Sequence, residues 1–194
     1  MGIGESRVNQ RLSNKNGQLR VLFAHQSTIP HYRIPFYEAL ERLRPQSWRF
    51  DVVFDLAELE KPQFFQEPII IQDLGFPLLS VKTLSFQLRG KKINYQTFFR
   101  PARNYDLLIV GHSINNIAYP LSQIHQLFGK KFAFWGHGWD HAVDHGQMSL
   151  PKKTSEKLKK LLARQADGFF AYTPRVRQHL EREGLLPSRF YAYA

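Results

Sequence analysis

What most constrains this chain is the recurrence of short apolar runs separated by stretches of helical period. Leu19–Ala24, Phe50–Phe54, Leu107–Val110, Lys131–Trp135 and Gly168–Tyr172 are too short for helices and rich in Leu, Val, Ile and Phe, as strands buried on both faces must be. Between them lie helix signals. Pro35 marks the start of a helix whose apolar face would be Phe36, Ala39, Leu40 and Leu43, and Pro45 ends it. Ile117–Phe128 reads as a second helix, and Glu156–Gln165 as a third that would turn Leu158, Leu161 and Leu162 inward. Thr173 is placed as an N-cap, Pro174 takes the first helical position and Gly184 closes the segment. Strand and helix alternating at these lengths predict an α/β chain with a doubly wound, parallel, Rossmann-like sheet. Leu78–Val81 and Ile69–Ile71 are expected as short strands among Pro62, Pro68 and Pro77, and Tyr95–Tyr105 as a mixed helical stretch.

The 194 residues are 43% hydrophobic and 22% charged, enough apolar material for one domain with its own core and too little charge for a disordered chain. Residues 1–18 are polar and aperiodic and are expected to be a disordered leader before a domain at 19–188. Residues 189–194 read either as a further apolar strand or as the start of an interdomain linker. No apolar run approaches the ~18 residues of a membrane span, and the leader lacks the apolar core of a signal peptide, so a cytoplasmic location is expected. The absence of cysteine excludes a disulfide framework and any cysteine-ligated metal. A net charge of +11 calls for an anionic partner. One acid-free stretch carries Lys82, Arg89, Lys91, Lys92, Arg100 and Arg103 among aromatic residues, and a helix carries Lys152, Lys153, Lys157, Lys159, Lys160 and Arg164. Both are compatible with a solvated face or with peripheral contact to an anionic membrane. No nucleic-acid-binding signature accompanies them, so no nucleic acid is expected as a partner.

A doubly wound sheet binds ligands at the carboxyl ends of its strands, which singles out four loops. The first, His25–Arg33, has no glycine and therefore excludes a dinucleotide fingerprint. Its Ser27, His31 and Arg33 suit an anion or sugar hydroxyls, with Arg33 as a phosphate fork; the plainer reading makes them solvent-facing loop residues. In Gly111–Asn116, His112 and Asn115 either face the crevice or serve the fold. Gly136 and Gly138 flank His137 just past a strand, where they let the backbone bend and bring the imidazole into the cleft. The fourth loop is Thr173–Arg175. His137, His141 and His145 fall four apart, but Gly138 and Gly146 break a helix there and no glutamate follows the first histidine, so no metal site is expected.

Taken in order, Val21-Leu22-Phe23, Ile34 to Leu40, Phe134-Trp135-Gly136-His137-Gly138, Ala166 to Thr173 and Leu180 to Gly184 resemble the N-terminal, acceptor-side domain of a GT-B glycosyltransferase of family 4, the group 1 retaining enzymes. The resemblance covers about residues 19–194. It implies transfer of a sugar from a nucleotide-sugar donor, used as substrate and not as cofactor, to a sugar or lipid-linked acceptor, without an essential metal. It implies that His137 contacts the transferred sugar, that the loop Ser27–Arg33 lies near donor phosphates and acceptor, and that His112 and Asn115 line the acceptor cleft. The family's second domain would begin just after Ala194, so this chain alone is expected to be inactive. A non-catalytic module that binds an anionic sugar, nucleotide or lipid head group is the alternative, followed by a basic nucleic-acid-binding protein.

Overall fold

The structure is a computed structural model that describes residues 17–24, 29–59, 73–88, 90–138, 150–185 and 190–192. Strand β1 (Leu19–Ala24) has partners on both edges and is buried along most of its length. A 3-10 turn (His31–Arg33) leads into helix α1 (Ile34–Leu43), which holds Pro35 in its first turn. Strand β2 (Trp48–Phe54), a single turn α2 (Leu56–Leu59) and strand β3 (Leu78–Ser80) follow. A hairpin of β4 (Thr83–Leu88) and β5 (Lys91–Gln96) comes next, then β6 (Leu107–Gly111), α3 (Ala118–Ser122) continued by a 3-10 stretch to Phe128, and β7 (Lys131–Gly136). The chain closes with α4 (Leu150–Gln165), β8 (Gly168–Ala171), α5 (Pro174–Arg182) and β9 (Phe190–Ala192).

Among the described residues, seven strands form one parallel sheet in the order β3-β2-β1-β6-β7-β8-β9. The chain leaves β1 towards β2 on one side and returns to β6 on the other, so the strand order reverses between β1 and β6. This is the doubly wound α/β architecture that the alternation predicts. Within residues 189–194, Phe190, Tyr191 and Ala192 form a strand and pair in parallel with Phe169, Phe170 and Ala171; the others lie outside the described residues. Ile69–Ile71 and nearly all of the leader lie outside the described residues.

Alternate strand residues feed two core layers, as period two requires. One layer holds Leu22, Leu108, Val110, Phe132, Phe134 and Phe169 beneath α3, α4 and α5. The other holds Val21, Phe23, Phe50, Val52 and Trp135 beneath Tyr37 and the half-buried Phe36 and Leu40 of α1. Phe23 meets Tyr37 edge-on at 5.6 Å between ring centroids, a favourable aromatic geometry.

Three expectations need correction. Tyr95–Tyr105 is not helical at its start, because Tyr95 and Gln96 end β5 and only Pro101–Asn104 makes a 3-10 turn. Helix α4 does not turn Leu158 and Leu161 inward; both are exposed, and Glu156, Ala163 and the half-buried Leu162 face the sheet instead. The bulky rings of Phe132, Phe134 and Phe169 already fill that layer, so the helix presents a small residue to them. Leu43 is likewise exposed, since α1 ends there and Arg44 turns back to Glu41 in an ion pair at 2.5 Å.

Aspartates close the amino end of the sheet. Asp106, just before β6, accepts a hydrogen bond from the Arg20 amide of β1 at 2.9 Å. Asp167, just before β8, accepts from the Phe132 amide of β7 at 3.0 Å and from Lys131 Nζ at 2.7 Å.

Candidate functional site

At the opposite, carboxyl end, the backbone of β7 sets which side each side chain takes. Trp135 points to the α1 layer, Gly136 to the α4 layer, and His137 to the α1 side again. Gly136 has no room for a side chain: an added Cβ would lie 3.0 Å from His112 Cβ. Gly138 is still more restricted, with φ +77° and the place of a Cβ only 2.9 Å from Leu180 of α5. The two glycines therefore let β7 pass close to β6 and α5, and they leave His137 exposed at the strand end with its ring 4.3 Å from that of Tyr172.

Beside them lies Arg33, which is only 3% exposed. Its guanidinium stacks over the Trp135 ring at 4.4 Å, with the Tyr172 ring at 5.2 Å and the Tyr32 ring at 5.5 Å. Nε donates a long hydrogen bond of 3.4 Å to the Tyr32 hydroxyl. Among the described residues neither Nη1 nor Nη2 has a hydrogen-bond acceptor, and no carboxylate pairs with the charge. Aromatic faces attract the cation, but they offer its N–H groups no oxygen. A buried guanidinium fork with two such donor nitrogens is costly by itself and suited to a bidentate anion. The plainer reading of Arg33, a solvent-facing loop residue, does not hold.

The remaining sequence-derived candidates separate. His31 is half-buried at the start of the same 3-10 turn. Ser27, His141 and His145 lie outside the described residues, and no group of metal-ligating side chains forms among the described ones. His112 is turned to the other layer: Nε2 lies 3.2 Å from the Lys159 carbonyl oxygen of α4, and its ring packs edge-on against Phe134 and Phe169 at 5.0 and 5.1 Å. Burial pushes its pKa down to about 4, so the ring is neutral and donates to that carbonyl. Asn115 is exposed, and its carbonyl accepts from the Asn94 amide of the hairpin at 2.8 Å. The structure thus brings Arg33, His137, Trp135 and Tyr172 together and keeps His112 and Asn115 out of that group.

Trp135 and Tyr172 were not singled out from the sequence. Both sit at carboxyl ends of parallel strands, β7 and β8, and that position is the signal that marks them.

No family model and no curated protein sequence matches this chain. Solved structures do. A Staphylococcus aureus MnaA–UDP co-structure superposes with a TM-score of 0.55 at 14% identity, over 90% of this chain and 44% of the other. Anabaena Alr3699/HepE in complex with UDP gives 0.54 at 13%, over 90% and 43%. The UDP-GlcNAc 2-epimerase of Methanocaldococcus jannaschii gives 0.50 at 14%, over 90% and 45%. At such identities the likeness is one of fold: a Rossmann-like half of the GT-B type. The chain spans less than half the length of these proteins.

Proposed function

We propose that the chain is the acceptor-side half of a nucleotide-sugar-dependent glycosyltransferase, of the retaining family 4 type that its motifs resemble. The observation that carries this reading is the buried, unpaired Arg33 fork in its aromatic cage, at the strand ends where a doubly wound sheet takes its ligand. An anion supplied by the substrate restores the missing acceptors, and a phosphate of the donor or a charged group of the acceptor has the right chemistry. His137, exposed beside Tyr172, is placed to hydrogen-bond a sugar hydroxyl. UDP bound to the fold neighbours MnaA and HepE supports a nucleotide sugar as the ligand class.

In the transfer, the bond between the anomeric carbon and the donor phosphate oxygen breaks and leaves its electron pair on the nucleoside diphosphate. The acceptor hydroxyl oxygen forms the new bond, and its proton passes to the departing phosphate. Interactions from a second domain complete the site, because one wall of a cleft cannot orient both reactants.

The test titrates tryptophan fluorescence of the chain with UDP-glucose, UDP and inorganic pyrophosphate. We expect a saturable response that weakens about tenfold or more in Arg33→Met. No saturation up to roughly 10 mM, a very weak affinity, or an unaltered response in the variant, overturns the reading. In a polypeptide extended by a second domain, His137→Ala should lower turnover about 100-fold while ligand still binds. Binding without transfer in the extended polypeptide assigns the chain to the binding-module alternative.

A further inference from the structure

The hairpin β4–β5 forms a two-stranded sheet of its own beside the seven-stranded one, tied to the rest of the chain at Asn94, which makes a single parallel bridge with Asn116. Its base is anchored at the carboxyl rim. The Thr83 amide donates to Asp55 at 2.5 Å, the Asn94 carbonyl accepts from Ile117, and Asn116 Nδ2 donates to the buried Gln96 at 2.6 Å. Beyond that base, β4 exposes both faces. Leu84, Phe86 and Leu88 alternate onto one of them and are 54%, 45% and 57% exposed, which is unusual for three large apolar side chains in a row on one strand face. Opposite them in register stand Tyr95, Ile93 and Lys91.

The charge around this face has one sign. Between Asp73 and Asp106 the sequence holds Lys82, Arg89, Lys91, Lys92, Arg100 and Arg103 and no acidic residue. Lys91 and Lys92 are exposed beside the turn at Gly90, and no ion pair engages them among the described residues. The basic run on α4 differs, because Lys159 pairs with Glu156 and Lys160 with Glu183, each at 2.7 Å.

We propose that this hairpin docks the protein on an anionic lipid bilayer. Leu84, Phe86 and Leu88 enter the boundary between head groups and acyl chains, and Lys91 and Lys92 meet lipid phosphates. A bilayer interface is the partner that offers apolar depth and negative charge within one hairpin's height; a nucleic acid offers the charge but no place for Leu84 and Leu88. The inference is independent of the Arg33 site, which takes no part in it. Docking by this rim would bring the strand ends close to a lipid-linked substrate.

The experiment is flotation of the whole chain with vesicles of phosphatidylcholine alone or with about one third phosphatidylglycerol, near 0.1 M salt. We expect at least about tenfold stronger partition to the anionic vesicles. A similar loss is expected in Leu84→Ser/Phe86→Ser/Leu88→Ser and, separately, in Lys91→Glu/Lys92→Glu, while Lys153→Glu/Lys157→Glu on α4 binds as the parent does. The altered side chains point outward, and circular dichroism verifies the fold; should the triple variant fail to fold, Phe86→Ser alone takes its place. Absence of binding, or binding indifferent to the apolar substitutions and abolished by salt, overturns the proposal. A vesicle-free dimer lost in Phe86→Ser overturns it in favour of a second copy of the chain. Saturable RNA binding lost in the same variants overturns it in favour of nucleic acid.

Discussion

The two ends of the sheet handle charge in opposite ways. At the amino end, Asp106 and Asp167 each take up a backbone amide of a neighbouring strand, and Asp167 also takes a lysine and Gln126. At the carboxyl end, Arg33 is buried among aromatic rings with two nitrogens left without acceptors. One end meets its charges with groups of the chain, whereas at the other the described residues supply no acceptor for two donor nitrogens. An exception of this kind is what the proposed anion site rests on.

The sharpest way to break the carboxyl end is Gly138→Ala. A side chain there needs a left-handed backbone and overlaps Leu180, so we expect a loss of about 4 kcal/mol in chemical denaturation, with His137 displaced. Next comes pH. The His112 pKa is 6.5 unfolded and about 4 folded, so the unfolded chain takes up a proton first as pH falls. Stability should therefore drop between those values, by roughly 3 kcal/mol at most, and His112→Gln should flatten that part of the profile.

At the amino end, Asp167→Ala should cost about 2 kcal/mol, because it strands the Phe132 amide as well as Lys131. Burial alone would raise the Asp167 pKa, but the bonds from Lys131, Gln126 and Phe132 outweigh it and lower it below the ordinary 3.8. Its contribution is thus present above that value and lost as pH falls through the lower folded one, an acid window distinct from that of His112. The smallest effect has the opposite sign. Arg33→Met removes a buried charge without an acceptor among the described residues and should raise stability by about 1 kcal/mol while weakening anion binding about tenfold or more. A loss of stability instead would mean that the cation stacking on Trp135 and Tyr172 outweighs the unmet hydrogen bonds.

Much of the architecture was legible from local pattern. The strands at 19, 50, 107, 131 and 168 sit where the apolar runs place them, and Thr173 Oγ1 accepts from the Val176 amide as an N-cap should. The hairpin was written in the sequence too, as the alternation Thr83-Leu84-Ser85-Phe86-Gln87-Leu88 before Gly90 at φ +75°. This hairpin was nevertheless not among the expected elements, and the helical reading of Tyr95–Tyr105 overlaps its second strand at Tyr95 and Gln96. Helix faces were harder: the Leu158 and Leu161 stripe has the right spacing for burial, yet which stripe faces the sheet depends on the rings beneath it.

By itself the sequence determined the alternation of strands and helices, the glycines that bend β7 beside His137, and the acid-free basic stretch, because each depends on residues close together in the chain. Only the tertiary structure decided that Arg33 lies over Trp135 and Tyr172, that His112 turns away to Lys159, and that Leu84, Phe86 and Leu88 remain uncovered. Those facts depend on strand order and on which layer each side chain enters. Both arise from packing between segments far apart in the chain, which no local pattern records.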